Sequence, residues 1–229
     1  MGVPVPWRAV HQTDARALLA YEHGRLLALG AAGEAVPPVL SFDGHTLVTG
    51  DIGRTFHHTI DELPLAQQLS IMCAAAADLA QFHARGHWHG GAQARNLTWD
   101  GQRFARLDFE EPLHPAMPLA TVQLYDALQL LLSFARFLDA MDPSAVRDVL
   151  AAYREASLLA CRARGHAAPD LPGFLRPLLP RLRFVRRVVE LLPRLRTSRE
   201  AVRLRIVLDG MSAFVDECTM PGNRGGSSG

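Results

Sequence analysis

The chain predicts an α+β fold in which a short strand-containing stretch precedes a mainly helical body. Three observations carry that prediction. Apolar residues recur at helical spacing through most of the sequence beyond residue 60, and the few strand-like segments all lie before residue 110. Turn dipeptides, Asp43-Gly44 and Asp100-Gly101, punctuate those same segments. No internal repeat interrupts the order.

Thr13 or Asp14 can cap a first helix reaching Leu29 and ending at Gly30. Strands near 38–42 and 46–50 flank the Asp43-Gly44 turn. Pro64 opens a long helix to Ala84, with Leu65, Leu69, Met72, Ala76, Leu79 and Phe82 at helical spacing and Gly86 after it. Asn96-Leu97-Thr98-Trp99 and Phe104-Ala105-Arg106-Leu107 read as two short strands joined by the Asp100-Gly101 hairpin turn. Helices follow near 119–140 and 143–162, the second opened by Asp142-Pro143, and then near 173–192 and 198–216. The tail, 218–229, is rich in Gly and Ser and reads as flexible.

Composition sets outer limits. At 229 residues with 48% hydrophobic and 21% charged residues, the chain is ordinary for a globular protein with a real core. No apolar run is long enough to span a bilayer, and the N-terminus lacks a signal-peptide pattern. Cys73, Cys161 and Cys218 are widely spaced and read as reduced thiols of an intracellular protein. His57, His58, His83, His87 and His89 lack zinc-ligand spacing, and no G-x-S-x-G elbow supports a Ser-His-Asp triad. Charge is uneven: residues 162–205 hold twelve Arg against Asp170, Glu190 and Glu200, while the whole chain nets +1. In Arg181-Leu182-Arg183-Phe184-Val185-Arg186-Arg187-Val188-Val189 the arginines interleave with large apolar groups. Such a stretch suits an anionic membrane surface, a phosphate-rich ligand, or simply a solvated helix face. No recognisable nucleic-acid-binding motif accompanies it.

The most informative stretch is His89-Gly90-Gly91-Ala92-Gln93-Ala94-Arg95-Asn96, followed by Leu107-Asp108-Phe109-Glu110. Together with Leu79-Ala80-Gln81-Phe82-His83-Ala84-Arg85-Gly86-His87-Trp88 before it, the layout resembles the catalytic loop of RIO-like kinases. That group includes the kinases of lipopolysaccharide core sugars (Kdo or heptose). The resemblance covers roughly residues 14–160. It implies a protein kinase-like fold, with a truncated N-lobe and hinge over 1–53 and a helical C-lobe over 54–217.

It further implies Asn96 and Asp108 as ligands of Mg on ATP. Glu22 stands where a helix-borne Glu pairs the phosphate-gripping lysine, and Asp51 and Ile52 stand at the hinge that meets adenine. Asp126, in the helix after the metal-binding Asp, is implied to brace the loop. Gln93 and Arg95 lie where groups contact the transferred phosphoryl. Glu110 and Glu111 offer either a second metal ligand or solvated turn residues.

Two departures bear on chemistry. The position at which such kinases carry the proton-accepting Asp is Gly91, which has no side chain. The chain also contains no lysine, since all 24 basic residues are Arg, and no G-x-G-x-x-G loop. Arg8 can lend positive charge, but a guanidinium fork differs in shape from an ammonium.

Three functions are therefore expected in competition. One is a pseudokinase-type, nucleotide-binding or regulatory module. The second is an atypical Mg-ATP-dependent phosphotransferase acting on a lipopolysaccharide sugar or a protein Ser/Thr. The third is a membrane- or partner-binding protein acting through residues 176–205. The expected location is the cytoplasm of a bacterium, with peripheral attachment to the inner membrane as one option.

Overall fold

A computed structural model describes residues 14–109, 117–142, 144–191 and 198–219. It is an α+β protein, mainly helical, with two small antiparallel sheets. Arg8, Thr13, Glu110, Glu111, Pro143 and residues 220–229 lie outside the described residues.

Helix α1 spans Ala15–Ala31, and the Asp14 carboxylate caps it by accepting the Arg16 N–H at 3.0 Å. The sequence expectation ended this helix at Gly30, but it runs through that residue. Alanines at 28, 31 and 32 favour the helix, and the left-handed C-terminal residue is Gly33, at φ 81°. Gly33 N–H donates to Gly30 O and Glu34 N–H to Leu29 O, both at 3.0 Å, which is the glycine-closed helix end.

Strands β1 (Val39–Phe42) and β2 (Leu47–Thr49) pair antiparallel across the expected turn. Asp43 Oδ1 holds that turn by accepting the His45 and Thr46 amides, with Gly44 at φ 86°.

Helix α2, Phe56–Glu62, has no counterpart in the sequence reading. Its signal is a single i, i+4 pair, Phe56 and Ile60, both fully buried. Helix α3 (Leu65–Ala84) begins and ends where expected and closes on Gly86. Its first expected core residue, Leu65, is instead 51% exposed, because the opening turn projects past the packed surface.

Strands β3 (Leu97–Trp99) and β4 (Phe104–Arg106) form the second hairpin. Helices α4 (Leu119–Leu138) and α5 (Ser144–Ala163) follow. The single helix expected over 173–192 is two: α6 (Leu171–Leu175) and α7 (Leu178–Leu191). Pro177 divides them, since its ring removes an N–H and collides with the preceding helical turn. Helix α8 (Arg199–Thr219) carries Cys218 and Thr219, which the sequence reading gave to the tail.

The core is built by α3 against α5, with α8 and α4 closing its sides and α7 packed on α8. Gly210 marks one close crossing, since a Cβ there would stand 2.4 Å from Val146 Cβ. All three cysteines are free, and burial pushes the Cys73 thiol up to about 11, which leaves it unreactive. Among the described residues, no helix is long and apolar enough to cross a membrane.

Candidate functional site

The loop from Trp88 to Asn96 is held by one face of α4. Gln123, Asp126 and Ser133 fall within about 80° of arc on that helix at 3.6 residues per turn. Each bonds the loop or the helix end before it. The Gln123 amide donates to His83 O at 2.8 Å and His87 O at 2.9 Å. Asp126 accepts the His89 amide at 2.6 Å and the Gly90 amide at 2.9 Å. Ser133 Oγ accepts the Ala94 N–H at 2.9 Å.

Asp126 is fully buried and would be costly there without these partners. Its remaining partner is His83, whose Nε2 lies 3.3 Å away and whose Nδ1 lies 2.7 Å from the Tyr153 hydroxyl. A carboxylate only accepts, so Nε2 carries the proton and Nδ1 takes the Tyr153 O–H. Burial lowers the pKa of His83 against the pull of Asp126, and raises that of Tyr153. The chain Tyr153–His83–Asp126–loop is thus a satisfied buried network. His83 is bound into this network, and His89 meets the loop backbone.

His89 is buried and stacks on Phe109 at 4.4 Å between ring centres. Its Nδ1 accepts the Gly91 N–H at 3.2 Å, and desolvation pushes its pKa down to about 4, so the ring is neutral. Arg25 of α1 reaches the same place. Its guanidinium lies 3.9 Å from the centre of the Trp88 ring, donates to the Trp88 carbonyl, and stands 5.7 Å from the Phe109 ring. Arg106, buried on β4, pairs with Asp78 and lies over Phe82.

The hairpin brings the backbone of the two expected metal ligands, Asn96 and Asp108, close together. Leu107 N–H donates to Asn96 O at 3.1 Å, so Leu107 stands opposite Asn96 and Asp108 is the next residue beyond the pair. Asn96 is buried, and its Nδ2 donates to Gly91 O at 3.0 Å, which fixes the amide and turns Oδ1 away from that bond. Asp108 is half-buried, and its φ of 69° makes it the one non-glycine in the left-handed region among the described residues. Its carboxylate has no hydrogen bond or ion pair among the described residues. Uncommon backbone conformations of this kind recur at ligand-binding sites.

Asn96 Oδ1 and the Asp108 carboxylate are hard oxygen donors and fit Mg²⁺. Two protein oxygens match the way that ion is held jointly with phosphate oxygens. No cluster of three or more His, Cys, Asp or Glu side chains is placed to hold a metal ion among the described residues.

Other expected site residues are distributed as follows. Gln93 is half-buried and shares a small pocket with His89, Asn96 and Arg106, while Arg95 is exposed on the same 3-10 turn, Ala94–Asn96. Asp51 is exposed, with Oδ1 accepting the Gly53 amide at 2.8 Å, and Ile52 is half-buried. The segment after them meets the hairpin through a bridge between Thr55 and Thr98. Glu22 is half-buried on α1, one turn before Arg25.

Gln123, Ser133, Arg25 and Tyr153 were not singled out from the sequence. Gln123 and Ser133 had a signal, as polar residues on an otherwise apolar helix face. Arg25 and Tyr153 had none, because their partners are distant in the chain. No family model, curated protein or solved structure matches the chain.

Proposed function

We propose that the protein is a degenerate kinase-like module that binds a Mg-nucleotide and does not transfer phosphate efficiently. The observation that supports this reading best is the pairing of Asn96 and Asp108 across one hairpin, beside a rigidly braced loop. The oxygen donors for a metal are present, while Gly91 offers no proton acceptor and the chain has no lysine. Phosphoryl transfer relies on positioning and charge, so a site keeping the metal ligands alone retains binding better than turnover. Bound Mg would neutralise phosphate charge. The residues' own parts are for Asp108 to supply negative charge and for Asn96 to present a fixed amide oxygen.

Thermal-shift titration with Mg-ATP tests this. A ligand bound only to the folded state adds about 2.7 kcal/mol of stability at a hundredfold excess over Kd. Wild type should gain stability, and Asp108→Asn should lose most of the gain with its unliganded midpoint little changed. Equal gains in both proteins would remove Asp108 from the site, and no gain in either would leave the site without nucleotide function.

Gln93 and Arg95, on the turn that ends in Asn96, favour a second reading as an atypical phosphotransferase in which they replace missing groups. A turnover near one per second, the low end for kinases, would carry that reading instead.

A further inference from the structure

Helix α7 presents an unpartnered face that the nucleotide reading does not use. Phe184 is 67%, Val188 43% and Leu191 79% exposed. Their spacing of four and three residues gathers them within about 60° of arc on one side of the helix. Arg181 and Arg187 flank Phe184 at roughly 60° on either side, and Arg183 and Val185 lie somewhat further round. Arg181 and Arg187 are exposed and have no ion-pair partner among the described residues.

The opposite side of the helix is the packed one. Leu179 is buried, Leu182 leans on the core, and Arg186 reaches Asp209 of α8 at 2.8 Å. The outward side therefore combines an apolar ridge with arginines on both flanks, and no acidic side chain is described on it.

We propose that α7 is a membrane-docking helix whose outer face lies on an anionic bilayer, with Phe184, Val188 and Leu191 seated at the headgroup boundary. The geometry follows from what each group needs. An interfacial helix lays its apolar ridge a few ångströms into the boundary, and flanking guanidinium groups stay at headgroup height, where they meet lipid phosphate. Arginine suits that contact because its fork matches phosphate bidentately. Two flanks of like charge complement a broad anionic plane. The exposed charges described on this face, Arg181 and Arg187 beside the ridge, are of one sign, which favours an anionic plane over a protein surface of mixed charge. The helix does not cross the membrane, in keeping with its length and its packed inner side.

The test uses the full chain and sedimentation with vesicles of phosphatidylcholine, with and without phosphatidylglycerol. Binding is expected to the anionic vesicles, and to weaken as salt shortens the Debye length from about 10 Å to about 3 Å. Arg181→Gln with Arg187→Gln should weaken it roughly 30-fold, at about 1 kcal/mol per arginine. Phe184→Ser should weaken it roughly tenfold through lost apolar contact. Phe184→Trp supplies a direct reporter, its emission shifting to the blue on anionic vesicles and quenched by brominated acyl chains. The exposure of Phe184 keeps all three variants folded, which circular dichroism checks.

The proposal is overturned if neither vesicle binds, or if neutral and anionic vesicles bind alike and the arginine changes have no effect. It is also overturned if the protein self-associates in solution through this face, with Phe184→Ser dispersing the copies and vesicles never binding. None of these outcomes depends on whether nucleotide binds.

Discussion

Asp126 and Arg187 are both charged residues on long helices, and their surroundings are opposites. Asp126 is wholly buried, and its oxygens meet the amides of His89 and Gly90 and the ring of His83. Arg187 is exposed beside an apolar ridge, with no ion-pair partner among the described residues. The contrast separates charge that specifies shape from charge that is left for a ligand. Buried and satisfied, a carboxylate fixes a loop. Exposed and unsatisfied, a guanidinium contributes almost nothing to folding and is available for a surface.

The largest test of that contrast is Asp126→Ala. It strands the His89 and Gly90 amides and the His83 N–H in a dry interior. Stability should fall by about 3–5 kcal/mol, the range for removing one partner of a buried charged network. Urea denaturation measures it, and a loss below about 1 kcal/mol would mean the loop does not depend on α4.

The same network sets a pH dependence. An unfolded histidine takes a proton near 6.5, whereas buried His89 refuses one until about 4, and His83 is lowered by the same cause. The unfolded state therefore binds more protons between those values, and stability falls as pH drops through that window. His89 alone accounts for about 3 kcal/mol, fully present at neutral pH and gone below about 4. Denaturation midpoints from pH 7 to pH 4 check the slope, and imidazole proton resonances of His89 should not titrate between pH 7 and pH 5.

Next comes Asp108, whose free carboxylate belongs with the available charges although it sits beside the braced loop. Asp108→Asn should change unliganded stability by no more than about 0.5 kcal/mol, since it breaks no hydrogen bond or ion pair among the described residues. The smallest expected effect is at Arg187→Gln, within about 0.5 kcal/mol of wild type, because an exposed unpaired charge carries little folding energy. A larger loss there would place α7 among the elements that hold the fold.

What was legible in the sequence was local chemistry. Asp-Gly turns marked both hairpins, Pro64 and Gly86 bracketed α3, and the hairpin that joins Asn96 to Asp108 could be read from four residues on either side of Asp100-Gly101. What was not legible had either a competing rule or a distant partner. A helical apolar period ran across Pro177, and the proline overrode it. Helix α2 was too short for periodicity to declare itself, with Phe56 and Ile60 alone on its inner face. The Asp126 brace was legible from the motif, whereas its extension to Tyr153 was not. Tyr153 lies 70 residues from His83, and nothing in either neighbourhood announces the bond between them.

Gly91 has a consequence for how this chain stands among possible relatives. Its backbone is not in the left-handed region, unlike that of neighbouring Gly90 at φ 97°, so φ there makes no special demand for glycine. Every glycine codon becomes an aspartate or glutamate codon by one base change at its second position. A carboxylate at position 91 is therefore one base change away, at a φ that residues with a side chain adopt. On the kinase-like reading proposed above, inheritance can thus supply a proton acceptor at position 91 in a single step.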